Sequence, residues 1–168
     1  MMLFWNYASG QDFLLKEKTI NGILKVGLPD SLTTSNISYV KTLSGYANDN
    51  YYQFNYYDTI IAKPTSKEFF QIALNGFFVG VLESARNKYT MKFSDTSIGG
   101  TNGKMAHLIP NDTTEAYKHI YLYATIANRQ FYLFEVFSPY NKPKQEDINT
   151  FFSSIYFESN KIEETSLF

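Results

Sequence analysis

The chain holds two histidines, His107 and His119, one on each side of a loop centred on Thr113. If Asp112-Thr113-Thr114 closes a hairpin, positions 107 and 119 are equidistant from its centre and fall across from each other. Two imidazoles with Asp112 or Glu115 have the donor types of a divalent-metal site. No other ligand type supports that reading, and a pair of partly exposed strand histidines is the plainer one. Glu135 is the second candidate. The hairpin around Asn128-Arg129 puts its carboxylate on an apolar strand face, where desolvation would raise its pKa as in a general acid or a ligand contact. A rim position or a hydrogen bond to a tyrosine is the bland alternative. Tyr117, His119, Tyr121 and Tyr123 alternate along one strand face, as a recognition strip or as packing beneath a helix. Gly99-Gly100-x-x-Gly103 lacks the Lys-Ser/Thr of a phosphate loop and opens a strand, not a helix. No G-x-S-x-G, H-E-x-x-H or EF-hand pattern occurs, and no spacing selects a Ser/His/Asp triad. The expectation is therefore no catalytic residue, no cofactor and no resident metal.

The elements that must position these residues come from a chain of 168 residues. That length fits one domain able to bury roughly 70% of its unfolded surface without a staple. Hydrophobic residues at 44% and charged residues at 18% are an ordinary globular balance, while 14 Tyr and 15 Phe point to a bulky aromatic core. A net charge of −1 argues against a nucleic-acid footprint. The absence of cysteine excludes disulfides, thiolate catalysis and iron–sulfur clusters. No segment is long and apolar enough to span a bilayer. Met1 to Tyr7 is apolar and Ala8-Ser9-Gly10 is small, like the end of a secretory signal. Residues 1–10 are thus expected to be a signal remnant whose start lies upstream, or an apolar N-terminal arm. Residues 11–158 form the domain, and residues 159–168 a polar tail.

Asn21-Gly22 is expected to join strands 13–17 and 22–28. Strands Ile37 to Leu43 and Tyr51 to Tyr57 flank the turn-forming run Tyr46 to Asn50. Thr65-Ser66-Lys67-Glu68 reads as a capping box with Thr65 as N-cap. It opens a helix over 65–86 whose apolar face is Phe70, Leu74, Phe77, Val81, Leu82 and Ala85. Gly76 and Gly80 within it each cost roughly 1 kcal/mol against Ala, so close packing against a sheet or helix is expected there. Tyr89 to Ile98 and Lys104 to Ile109 are strands, with Asn102-Gly103 as the hairpin signal between them. Tyr117 to Ile126 and Phe131 to Phe137 pair about Asn128-Arg129, setting Ile126 opposite Phe131, Ala124 opposite Leu133 and Leu122 opposite Glu135. Both faces of this hairpin are apolar, so both are expected to be covered. The two helices available are 65–86 and 143–156, the second with Pro143 in its first turn. The result is an α+β fold, a three-layer α/β/α sandwich with a mainly antiparallel sheet.

This order resembles the PsbP/Mog1-like superfamily, near its bacterial DcrB-like members. The resemblance rests on Leu24-Lys25-Val26-Gly27-Leu28-Pro29, the long central helix, and Ile98-Gly99-Gly100-Thr101-Asn102-Gly103. It also rests on the aromatic pair Tyr121 to Val136 and on Phe151-Phe152-Ser153-Ser154-Ile155-Tyr156-Phe157, with Ile155 at a usual Phe position. It covers residues 20–158 and implies an α/β/α sandwich with a non-enzymatic role.

The functional expectation is a soluble bacterial domain, periplasmic or otherwise exported, that binds a protein partner. Its contact rim would be Gly99, Gly100, Asn102 and Lys104 with the loop of Tyr46, Asn48 and Asn50, joined by Tyr121, Tyr123 and Glu135. One alternative is a small hydrophobic-ligand binder with a pocket between sheet and helix lined by Phe70, Phe77, Tyr121 and Phe134. Another is a cytosolic secretion-system adaptor.

Overall fold

Turn chemistry sets the strand boundaries. The computed structural model describes residues 15–58, 61 and 66–158. Asn21 and Gly22 take positive φ, 51° and 71°, and fold β1 (Leu15–Ile20) antiparallel onto β2 (Leu24–Pro29). The expected strand from Ile37 to Leu43 is instead broken. Ser38 enters the left-handed region at φ 53°, so β3 (Thr33–Ile37) turns back on β4 (Val40–Ala47) with Ile37 opposite Val40. Serine has no special ease in that region, which left no signal to read. Asn48 and Asp49, at φ 49° and 62°, join β4 to β5 (Asn50–Tyr57).

Helix α1 spans Lys67–Glu83, and its N-cap is Ser66, whose hydroxyl accepts from the Phe69 amide at 3.2 Å. The expected cap, Thr65, lies outside the described residues. β6 (Tyr89–Ile98) and β7 (Thr101–Pro110) join through Gly99-Gly100, at φ 61° and 84°. Asn102-Gly103 is therefore not the turn. It lies inside β7, because two adjacent glycines reach positive φ with no steric cost. β8 (His119–Ala127) and β9 (Gln130–Ser138) turn at Asn128-Arg129, and the pairs Ile126–Phe131, Ala124–Leu133 and Leu122–Glu135 form as the sequence predicts. Helix α2 (Gln145–Ser153) and β10 (Tyr156–Phe157) follow. Pro143 precedes the α2 N-cap, Lys144, so it stands outside the first turn. The polar tail after 158 lies outside the described residues, as does the apolar run before 15.

Among the described residues all strand pairs are antiparallel, in two sheets: β1-β2-β10, and a seven-stranded sheet ordered β3-β4-β5-β9-β8-β7-β6. The expectation of one sheet missed that the N-terminal hairpin stands apart and takes β10. The architecture is α+β. Tyr123, Phe134 and Val136 pack against Ile148, Phe151 and Phe152 of α2 and against Leu24, Val26 and Leu28 of β2. From the opposite face, Ile120, Leu122, Ala124 and Leu133 meet Phe78 and Leu82 of α1. Hence Phe70 and Phe77 sit on the α1 side, while Tyr121 and Phe134 sit on the α2 side. With the sheet between them, these four cannot line one pocket.

Candidate functional site

Helix α1 carries apolar residues at nearly every angular position: Phe69, Phe70, Ile72, Leu74, Phe77, Phe78, Val79, Val81 and Leu82. A helix hydrophobic all round is ordinarily enclosed. Here only Phe70, Leu74, Phe78 and Leu82, four apart, are buried against the sheet. On the outer side Ile72 is 62% exposed, Val79 59% and Phe69 41%. Residues 69, 72, 76, 79 and 80 follow the three- and four-residue spacing of a single face. Gly76 and Gly80 lie on this face, and a Cβ added at either would meet nothing within 4 Å. Among the described residues, the expected close packing of these glycines against a sheet or helix is thus absent.

The same apolar surface continues onto the sheet edge. β6 is the terminal strand of the seven-stranded sheet, and its Phe93 is 60% exposed with its ring edge-on to Phe78 at 5.7 Å. Between α1 and β6 runs a groove of about 660 Å³ whose wall includes Phe78, Val79, Leu82, Met91 and Phe93. Lys104 stands at its edge, ion-paired with Asp95 at 2.6 Å. Sequence reasoning missed Phe69, Ile72, Val79 and Phe93. The readable signal was Phe69-Phe70 and Phe77-Phe78-Val79, consecutive apolar residues that one buried face cannot absorb.

Glu135 lies on the α1 side of β9, between β5 and β8. Its Oε2 accepts from Gln53 Nε2 at 2.9 Å and from Asn55 Nδ2 at 2.8 Å. Asn55 in turn accepts from the Thr42 hydroxyl at 2.6 Å. Burial pushes the carboxyl up to about 7, against the opposing pull of the two amides. The folded pKa exceeds the ordinary 4.5, so the neutral acid binds its proton more tightly when folded. The stability this confers is complete below pH 4.5 and is lost as pH rises through about 7. Glu135→Gln is expected to flatten that fall, as read from urea midpoints between pH 4.5 and 8. An unchanged pH profile in the variant would place the titration elsewhere.

The structure does bring the histidines together. His107 pairs in register with Tyr121, so His119 is its diagonal neighbour and not its cross-strand partner. Even so, His107 Nε2 and His119 Nδ1 are 2.8 Å apart, and His119 Nε2 is 3.2 Å from the Asn141 carbonyl. A carbonyl only accepts, so His119 Nε2 carries a hydrogen. In the neutral pair, His119 Nδ1 then accepts from His107 Nε2. Burial, His119 and Lys92 hold the His107 pKa below its ordinary value. Asp112 is engaged by the Thr114 amide and hydroxyl, and among the described residues no three His, Asp or Glu side chains form a metal-sized group.

The remaining candidates divide between the two ends of the sheet. Tyr46 to Asn50 turns at the end where β9 finishes, since Tyr51 pairs with Phe137. Gly99, Gly100, Asn102 and Lys104 sit at the end where β8 finishes, since Gly103 pairs with Thr125. No shared rim results. Asn50 is buried and reaches Asp147 of α2 at 3.5 Å. Asn48 lies near enough to Asp147 to oppose the burial that raises its carboxyl pKa, so this loop steadies the first turn of α2. Tyr46 is exposed, but its hydroxyl meets that of Tyr117 at 3.1 Å. Tyr117 leaves the expected strip, because β8 begins only at His119 and the Tyr117 ring joins Tyr51 and Phe137 on the other face. Tyr123 is fully buried and donates to the Thr101 carbonyl at 2.8 Å. Tyr121 stacks on His107 at 4.2 Å. Asn102 offers its carbonyl to the Thr125 hydroxyl at 2.7 Å.

No family model matches the chain, and no curated protein matches it. Among solved structures it is similar to the solution structure of cyanobacterial PsbP (CyanoP) from Synechocystis sp. PCC 6803. The TM-score is 0.60 at 9% identity, over 92% of this chain and 98% of that one. At that identity the likeness is one of fold, a PsbP-like α+β arrangement of mostly antiparallel sheets with two helices. Among the described residues no helix is long and apolar enough to cross a membrane.

Proposed function

We propose that this chain is a non-catalytic domain that binds a protein partner, and that the outer face of α1 receives an apolar helix of that partner. The carrying observation is the conjunction on one helix face of exposed Ile72 and Val79 with the unobstructed Gly76 and Gly80. Exposed contiguous apolar surface marks interaction sites, and small residues four apart let a second backbone come close. Among the described residues the two glycines meet no packing neighbour, yet each costs about 1 kcal/mol of helix stability against Ala. A partner helix lying across them gives that cost a use. The groove floored by Phe78 and flanked by Phe93 extends the same contact.

The finer parts of the reading go with it. The two helices and the intervening sheet are taken as an α/β/α sandwich, with the three-stranded sheet beside α2. The chain is taken as a DcrB-like member of the PsbP/Mog1-like superfamily, and its compartment as periplasmic or otherwise exported. The support for export is the apolar and small-residue run of residues 1–10.

A photo-crosslinking residue such as p-benzoylphenylalanine, placed at Ile72 or Val79 in cells that make the protein, tests the surface. The expected result is one discrete adduct, identified by mass spectrometry. The control at Ile37, more exposed than either but on the opposite sheet edge, should give none. Equal adducts at all three positions, or none at 72 and 79, would defeat the proposal, and an adduct with a second copy of this chain would replace the partner by self-association.

A further inference from the structure

Beneath the C-terminal half of α1 lies a second cavity, of about 250 Å³, separate from the outer face of the helix. Its wall is mixed: Val81, Ala85 and Leu108 supply an apolar strip, Ser84, Lys88 and Tyr89 are polar, and Glu135 also lines it. Gln53 and Asn55 both donate to the same oxygen of that carboxylate, Oε2. Oε1 takes neither amide and is left for the cavity. Among the described residues, no cation pairs with Glu135; the four ion pairs of the domain lie at other carboxylates.

We infer that this cavity is a binding site for a small amphiphilic amine, its ammonium on Glu135 Oε1 and its apolar body against Val81, Ala85 and Leu108. Three features carry the inference. Two side-chain amides fix the carboxylate in one orientation, as a preorganised acceptor is fixed. The acceptor is the one carboxylate among the lining residues and stands beside the apolar strip of Val81, Ala85 and Leu108, a few polar groups next to apolar surface being the usual make-up of a small-molecule site. At about 30 Å³ for each water-sized group, the volume holds about eight non-hydrogen atoms. Lys88 lines the cavity but makes no ion pair with Glu135, so an ammonium is favoured over a hydroxyl because it supplies a paired counter-charge to a half-buried carboxylate. A carboxylate ligand would place like charges together. This site does not depend on the partner surface and stands or falls separately from it.

The test uses the full chain with n-hexylamine, 1-hexanol and hexanoate as probes, read by thermal denaturation and calorimetry at pH 8 and pH 5.5. Hexylamine at five times its Kd is expected to raise Tm by about 2–4 °C, with hexanol weaker and hexanoate without effect. Affinity should fall at least about 10-fold at pH 5.5, where Glu135 holds its proton and loses its charge. The other titratable groups lining the cavity or facing Glu135 are Tyr57 and Tyr89, whose hydroxyls burial pushes further up, and Lys88. Glu135→Gln keeps the shape and should abolish the preference for the amine. If that variant does not fold, Ala85→Leu, which narrows the cavity without touching the carboxylate, should weaken hexylamine at least about 10-fold. No Tm response to hexylamine in the unaltered chain, or equal responses to all three probes, would overturn the inference.

Discussion

Phe134→Ala is expected to lower stability by about 3–5 kcal/mol. The Phe134 ring is fully buried and is the meeting point of three elements. Its centroid lies 4.9 Å from Phe54 of β5, 6.0 Å from Tyr123 of β8 and 6.5 Å from Phe157 of β10. Truncation leaves a cavity that these large neighbours cannot collapse into, because each is held by its own strand pairing. Against a total of about 5–15 kcal/mol for a domain, such a loss leaves the fold marginal. Urea denaturation should show a lowered midpoint with an unchanged slope. Phe134→Leu keeps most of the volume and should cost less than half as much. A loss below about 1 kcal/mol for Phe134→Ala would mean that the α2 side of the sheet is not the main core.

The second large effect is expected at Gly103, where Ala should cost about 3 kcal/mol or more. Gly103 is paired on both sides, with Thr125 of β8 and Thr96 of β6, and a Cβ there would stand 2.5 Å from the Ala124 carbonyl oxygen and against the Tyr123 ring. Neither can retreat. The oxygen belongs to a paired strand, and the Tyr123 hydroxyl is fixed on the Thr101 carbonyl. Gly100, three residues earlier, makes the useful contrast. Its added Cβ would meet nothing within 4 Å, but its φ is +84°, so Ala there should cost only about 1 kcal/mol through backbone strain. Equal effects at the two positions in thermal denaturation would show that close approach at Gly103 has been misread.

These two glycines also show where the sequence was legible and where it was not. Asn102-Gly103 has the strongest local turn chemistry in the chain, and it lost to Gly99-Gly100 because the need for a bare backbone at Gly103 comes from Tyr123, a residue 20 positions away. Local rules cannot see such a contact. By contrast, the β8–β9 register was legible because Asn128 and Arg129 carry the turn themselves and both faces are apolar. The turn at Ser38 left no trace, since serine shows no preference for the conformation it adopts there. For the histidines, the loop between β7 and β8 is not symmetric about Thr113. His107 therefore faces Tyr121, and contact with His119 is recovered only on the diagonal.

The candidate surface was partly legible for a similar reason. Position along α1 identified the buried stripe of Phe70, Leu74 and Leu82. The outer stripe was read as if the glycines had to pack inward, since a glycine in a helix is normally explained by a close neighbour. That neighbour is not among the described residues. The rim expected from Tyr46 to Asn50 and Gly99 to Lys104 failed because strand order, and not loop composition, decides which turns share an end of a sheet. Glu135 was placed correctly by register alone. Its amide partners Gln53 and Asn55 were not foreseen, because the pairing of β5 with β9 crosses about 80 residues of chain.

On the proposed function, the outer face of α1 is shaped for another chain and not for this domain's own stability. The most direct test compares the unaltered protein with the Gly76→Ala/Gly80→Ala double variant in two readouts: urea stability, and the yield of the Val79 photo-adduct in cells. The account predicts opposite movements. Stability should rise by about 1–2 kcal/mol, since two helix-interior glycines with free space are replaced, while adduct yield should drop at least about 10-fold as two methyl groups block the partner's approach. A variant that is more stable and crosslinks as well as before would contradict the account.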